Sequence, residues 1–207
     1  MASPNFSFAY IMKKKLKNFS GVGTVFSSSI VNISNLLEQF GPLDLIDNLK
    51  LYLDHVTSVI EKHGGIVLKF EGDAVLALWY PTRNNTSHAQ FAFDAACEVI
   101  EKHPPLVHTL KNIFFDVDIV LSTSDLAGNF FGSNKQFQVI GTAMAITDRL
   151  NSVHNIQGTM IRMSQYTVDI IKPKDGIKKI ATITRDNLED LKVFTYCPAN
   201  KKILVPR

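Results

Sequence analysis

The chain alternates between short apolar runs bounded by glycine and longer stretches whose apolar residues recur three and four apart. Gly21-Val-Gly-Thr-Val-Phe26 is of the first kind and predicts a buried strand, with Ser27-Ser-Ser29 at its C-terminal end. From Leu36 the spacing turns helical. Leu43, Ile46, Leu49, Leu53, Val56 and Ile60 make one stripe, Pro42 sits near the start where its missing N–H costs nothing, and Gly64-Gly65 ends the helix. Ile66–Phe70 and Ala74–Trp79 flank Glu71-Gly72-Asp73 as the two strands of a tight hairpin. His88–His103 predicts a second helix with Phe91, Ala95, Val99 and Ile100 inward, stopped by Pro104-Pro105. In Ile113–Leu121, Asp116 and Asp118 alternate with Val117 and Ile119, the pattern of a half-exposed strand; a second strand through Leu126–Phe131 pairs with it. Phe137–Ile140 reads as a short strand, Gly141–Leu150 as a helix, Thr159–Met163 as a strand and Gln165–Ile171 as a helix. Strands near Ile177–Ile183 and Lys192–Cys197 close the series. This order predicts an α+β fold, palm-like or ferredoxin-like, with helices packed on one face of a mainly antiparallel sheet. It predicts a single domain over residues 21–200, a lead-in over 1–20 anchored by Phe6, Tyr10 and Phe19, and a basic tail over 201–207.

Composition narrows the class. A chain of 207 residues, 45% hydrophobic, forms one domain with a core of ordinary size. The net charge is +3, and the basic residues gather at Lys13–Lys17, Lys172–Lys179 and Lys201–Arg207. These are solvated patches, not the continuous basic face of a nucleic-acid binder. Two cysteines, Cys97 and Cys197, build no disulfide framework, and no Cys/His spacing suggests zinc. Cys97 falls in a helical apolar pattern and is expected to pack. No run is long enough to cross a membrane. Lys13–Lys15 follow the N-terminal apolar residues, the reverse of a signal peptide. The expected location is cytoplasmic, which makes the sequons at Asn18, Asn32, Asn84 and Asn85 incidental.

Three residues have candidate chemistry. Asp73, on a rigid hairpin tip, suits a hard cation such as Mg²⁺. Phosphoryl chemistry usually needs two such cations about 3.5–4 Å apart, so a second carboxylate is required from a neighbouring strand end. Gly-Asp is also a common turn solution. Lys69, four residues earlier, can meet a purine or a phosphate, or can be a surface lysine. Arg149, on the Gly141–Leu150 helix, can stabilise transition-state charge on a phosphate, or can be an exposed helix arginine paired to Asp148. No one of these is specific alone.

Together they resemble a known pattern. Leu68-Lys-Phe-Glu-Gly-Asp-Ala-Val-Leu-Ala-Leu-Trp79 closely resembles the hairpin of class III adenylate cyclases, and is most similar to the first catalytic domain of the bicarbonate-responsive soluble enzyme. Ile60-Glu-Lys-His-Gly-Gly-Ile66 is similar to the family's helix end, and Phe137-Gln-Val-Ile-Gly141 with Arg149-Leu150 to its later strand–helix motif. Phe131-Gly132 sits where the family has a second hairpin. The resemblance runs from about Gly21 to Ser164. It implies conversion of ATP to cAMP and pyrophosphate, with two Mg²⁺ or Mn²⁺ ions, at the interface of a homodimer or a heterodimer with another cyclase domain. It also implies the site. Asp73 matches the second metal aspartate, and Ile30 offers a backbone carbonyl. Ile33 and Ser34, in the turn from Asn32, approach phosphates. Lys69 with Gln138 reads the purine, and Arg149 is the transition-state arginine.

Two positions depart from the family pattern. Ser29 stands where the first metal aspartate belongs, and Ala145 where a ribose-positioning asparagine belongs. A serine hydroxyl is a weak, neutral Mg²⁺ ligand. The expected result is a weakened metal site and a feeble or partner-dependent cyclase. The alternative is an inactive cyclase-like domain used for dimerisation or for sensing a nucleotide or a bicarbonate-like anion. A diguanylate-type palm needs a Gly-Gly-acid-acid-Phe turn, which Phe70-Glu-Gly-Asp-Ala74 does not supply.

Overall fold

The computed structural model describes residues 16–81, 87–108, 113–133, 135–153, 158–172, 174–185 and 188–196. Phe6, Tyr10, Asn84, Asn85, Cys197 and Lys201–Arg207 lie outside them. The elements are β1 (Phe19–Ile30), α1 (Ile33–Lys62), β2 (Ile66–Glu71), β3 (Ala74–Trp79), α2 (His88–His108), β4 (Val117–Phe131), β5 (Gln136–Ile140), α3 (Thr142–Asn151), β6 (Met160–Ser164), α4 (Gln165–Ile170), β7 (Ile177–Arg185) and β8 (Leu188–Tyr196). The strands form one sheet in the order β2-β3-β1-β4-β6-β8-β7, with β5 paired to β4. Among the described strands only β4 and β6 run parallel; the other pairs are antiparallel.

The centre of the sheet explains the layering. β1 and β4 pair over their whole shared length, from Phe19↔Gly128 to Ile30↔Val117. β1 is buried on both faces through its middle and β4 through its first half. Two buried faces need two covers. Phe26, Ile30, Val117, Ile119 and Leu121 pack under α1, α2 and α4. On the opposite face Ala143 of α3 meets Val25, Leu78 and Leu126, and Leu150 meets Val120 and Val193. Helices therefore cover both faces, not the single face expected from element order.

Three further expectations are corrected. The strands expected at Ile113–Leu121 and Leu126–Phe131 are one continuous strand, β4, and its first half is buried rather than half-exposed. Asp118 does not alternate out to solvent because a partner strand lies on either side and α3 lies above. The stripe over Leu43–Ile60 is out of phase at its start only: Leu49 and Leu53 pack half-buried against the core, and Val56 and Ile60 are buried in it. Leu43 and Ile46 are 85% and 55% exposed, whereas Leu45, Asn48, Tyr52, Val56, Val59 and Ile60 face the core. Gly41 (φ 77°, ψ 164°) breaks α1 and Pro42 opens its second segment, at whose start Leu45 and Asn48 take the inward positions. Finally, α2 passes Pro104-Pro105 and ends at His108, although the prolines supply no N–H to the carbonyls of Ile100 and Glu101.

The two path-end strands are protected. β7 carries exposed Lys178 and Lys179 and two register shifts, and β2 has a shift between Val67 and Lys69. Edge lysines and bulges both discourage pairing with another chain. Cys97 packs against the main core, and burial, with Asp94 and Glu101 nearby, pushes its thiol up to about 12. It is a packing residue with little thiolate character.

Buried polar groups thread the core. The Thr24 hydroxyl lies 2.8 Å from His88 Nδ1 and 2.9 Å from the Thr123 hydroxyl, which lies 3.0 Å from that of Thr167. Burial lowers the pKa of His88, and burial chiefly lowers that of His55, from the ordinary 6.5. A histidine held neutral in the fold is protonated first in the unfolded chain, so the unfolded state gains protons as pH falls below about 6.5 and stability falls with it. Glu98, held far below the carboxylate range by Lys102, Lys62 and His63, loses its contribution only below about pH 4.5. Urea midpoints are therefore expected to drop between pH 7.5 and 5.5, and His88→Gln is expected to flatten that slope. A flat profile in the unmodified chain would show that neither histidine is buried in this way.

Candidate functional site

The end of β1 and the β2–β3 hairpin meet at one edge of the α1 layer. Gly72 (φ 62°) takes the first of the two loop positions between Glu71 and Ala74, where a primed hairpin turn needs positive φ. Asp73 takes the second. Its Oδ2 accepts the backbone N–H of Ile30 at 2.7 Å, which ties the hairpin tip to the end of β1. Ser29, the neighbour of Ile30, is half-buried. One residue back, the Ser28 hydroxyl is 2.5 Å from the Tyr52 phenol of α1. Burial first, with the charges of Asp73 and Asp118 adding, holds that phenol firmly protonated against the opposing hydrogen bond from Ser28. The chain then turns through Val31, whose N–H donates to Asp116 O at 2.9 Å, and Asn32, in the left-handed region at φ 55°. Ile33 and Ser34 open α1, ahead of the first helical bonds from Asn35 and Leu36 to Asn32 O. Their N–H groups belong to the unsatisfied first turn that favours anions.

The other expected site residues stand apart from this corner. Lys69 is exposed on edge strand β2 and pairs with Glu71 at 2.5 Å, an exposed ion pair of small energetic weight. Gln138 is exposed on β5, opposite Asn129 of β4. An open hollow of about 480 Å³ borders this strand, with Phe19, Asn129, Phe131 and Ile140 in its wall. Phe131 and Ile140 are 54% and 67% exposed. Arg149 turns to its own sheet: Nη2 donates to the carbonyls of Ile183 (3.2 Å) and Glu189 (3.0 Å), near the end where β7 connects to β8. Ala145, one turn before it, is exposed.

The residues do not fit the two-cation centre that the resemblance implies. Ser29 is neutral, and one oxygen of Asp73 is engaged by Ile30. Among the described residues no three His, Cys, Asp or Glu side chains are grouped to hold a metal.

Sequence reasoning missed the largest charge feature nearby. Asp118 on β4 and Arg162 on β6 form a buried, two-pronged ion pair, with Nε donating to Oδ1 at 2.9 Å and Nη2 to Oδ2. Arg162 Nη1 also donates to Leu150 O at the end of α3. The available signal was one acid and one base, each alone in an otherwise apolar strand, Val117-Asp-Ile-Val-Leu121 and Met160-Ile-Arg-Met163.

Known proteins share this fold. The model of the adenylate and guanylate cyclase catalytic domain matches residues 15–194. Adenylate cyclase 1 of Rhizobium meliloti is 29% identical over 160 residues, 75% of this chain and 24% of that protein, so the chain spans about a quarter of that relative. The adenylyl cyclase CyaB of P. aeruginosa superposes with a TM-score of 0.76 at 21% identity, covering 90% of this chain and 98% of that one. The guanylyl cyclase Cya2 gives 0.72 at 18%, covering 92% and 100%. The guanylate cyclase domain of RhGC from Catenaria anguillulae, solved with GTP, gives 0.71 at 20%, covering 88% and 98%. These likenesses match the mixed α+β fold and its mostly antiparallel sheet. No helix among the described residues is long and apolar enough to cross a membrane. With the family model matching most of its length, the chain belongs to the adenylate and guanylate cyclase catalytic domain family.

Proposed function

We propose that this chain is a class III nucleotidyl cyclase domain that works at an interface with a second cyclase domain and contributes the nucleotide-contacting half of the site. In the reaction the ribose 3′-oxygen bonds to the α-phosphorus of ATP while the bond to pyrophosphate breaks, giving cAMP. The observation that carries the partner dependence is the β1 corner, where Asp73 accepts the Ile30 N–H and the adjacent position 29 is a serine instead of a second carboxylate. The Mg²⁺ or Mn²⁺ ions would be held by the partner's carboxylates. This chain would supply Lys69 and Gln138 to the purine and Arg149 to the phosphates. Exposed Phe70, Phe131 and Ile140, on the strands that carry Lys69 and Gln138 or on β4 between them, support an interface there. Lys69 and the hairpin's likeness to the soluble adenylate cyclase favour adenine, and a cytoplasmic location accords with that likeness.

The test is a Mn²⁺–ATP cyclase assay on the chain alone and mixed with a family domain that carries both metal aspartates. The chain alone is expected to make little cAMP. The mixture is expected to make cAMP that falls at least 10²-fold with Lys69→Ala or Arg149→Ala, the cost of misplacing a reacting group, and is indifferent to Asp73→Ala. Substantial activity of the chain alone, abolished by Asp73→Ala, would refute the proposal.

A second reading rests on Arg149, whose guanidinium is already bonded to Ile183 and Glu189. It is an inactive domain that binds a nucleotide or a bicarbonate-like anion. Absence of cAMP from every mixture, together with saturable binding of ATP or bicarbonate, would favour it.

A further inference from the structure

Ser29 and Asp118 stand directly opposite each other in the β1–β4 ladder, so their side chains point to the same face of the sheet. Facing Cβ atoms in such a pair are about 4.5–5.5 Å apart. It is the face that α3 covers: Ser27, two residues before Ser29, accepts a hydrogen bond from Asn151 Nδ2 at 3.3 Å. Here the buried charge is balanced, one carboxylate at Asp118 against one guanidinium at Arg162. A carboxylate at position 29 would lie beside Asp118, which among the described residues is ion-paired with Arg162. A half-buried carboxylate at 29 and the buried one at Asp118, sharing one counter-ion, would oppose each other's ionisation.

We infer that the first metal carboxylate has moved one strand over, from position 29 to Asp118, where Arg162 neutralises it in place of a divalent cation. The inference rests on the reading of Ser29 as the first metal position. It makes Ser29 one part of a rebuilt charge arrangement that excludes the metal. Restoring aspartate at 29 does not restore the site while the Asp118–Arg162 pair remains. The pair also holds the Leu150 carbonyl, so the charge that closes the metal corner fixes the end of the helix bearing Arg149.

The test compares Mn²⁺ binding, by isothermal titration calorimetry, in four forms of the chain: unmodified, Ser29→Asp, Asp118→Asn/Arg162→Met, and all three substitutions together. The first three are expected to bind weakly and alike, and the triple variant at least ten-fold more tightly. Equal tightening by Ser29→Asp alone would overturn the inference. A second measurement leaves the pair untouched: Ser29→Asp is expected to lower Tm well below Ser29→Asn, which has the same size without the charge. Equal Tm values would also overturn it, and this comparison decides alone if the pair variants do not fold. A triple variant that gains no Mn²⁺ affinity, while the Tm difference persists, would remove Ser29 from the metal site and the displaced carboxylate with it.

Discussion

Arg162→Met is expected to destabilise the fold by about 3–5 kcal/mol, and Asp118→Asn added to it is expected to return most of that loss. Both side chains are almost fully buried, at 1% and 6% exposure. Taking two ions out of water is costly, and their mutual attraction at close range offsets that cost. Removing the guanidinium alone leaves the Asp118 carboxylate in an apolar layer formed by Val120, Leu150 and Val193, without its cation. Methionine fills nearly the same volume, so a cavity contributes little. Neutralising Asp118 as well removes the stranded charge, and a neutral, well-filled pair is often as stable as the ions it replaces. Recovery is incomplete because the Leu150 carbonyl, which still accepts the Val153 N–H at 3.2 Å, has lost its second donor from Arg162, a loss of about 1 kcal/mol. Urea unfolding of the two variants measures the difference. Equal losses would mean that the destabilisation comes from packing and not from charge.

That pair also marks the limit of what was legible in the sequence. The hairpin from Val67 to Trp79 was legible because its signal is local: two apolar runs and a Gly-Asp turn place Asp73 wherever the rest of the chain goes. The strand at Phe137, the helix at Gly141 and the final two strands were local in the same sense. Asp118 was not, because its environment is set by β1 and β6, one far earlier in the chain and one 44 residues later. Alternation of Asp116, Val117, Asp118 and Ile119 reads as a half-exposed strand unless the strand is known to be central. The start of the second α1 segment failed for a related reason. Its inward positions are taken by Leu45 and Asn48, and no count of apolar residues selects a buried asparagine. Site residues suffered most. Lys69 was legible as a strand lysine, but its pairing with Glu71 and the commitment of Arg149 to carbonyls of β7 and β8 depend on side-chain geometry that sequence spacing does not contain.

Gly141→Ala is expected to cost about 3 kcal/mol or more, far beyond the loss at another glycine of positive φ. Gly141 has φ 143°, in the region that L side chains rarely adopt, and forcing a residue there costs of order 1–3 kcal/mol. Space is the second term. A Cβ at this position would lie 2.3 Å from the Asp125 carbonyl oxygen and 2.8 Å from the Leu126 Cα. Both are backbone atoms of β4, so no side-chain rotation relieves the overlap, and overpacking of this kind adds about 1–3 kcal/mol. The alternative to paying in stability is movement of the start of α3 away from β4, since the Gly141 carbonyl accepts the N–H of Ala145 in the first turn of that helix. The control is Gly132→Ala, at φ 69° with nothing within 4 Å of the added Cβ. It carries only the conformational term, about 1 kcal/mol. Urea midpoints for the two variants separate strain from overlap. If Gly141→Ala loses no more than Gly132→Ala, the close approach of β4 to the head of α3 is not what holds that helix. If the difference appears together with a loss of Arg149-dependent activity in the mixed cyclase assay, the same approach sets where Arg149 stands.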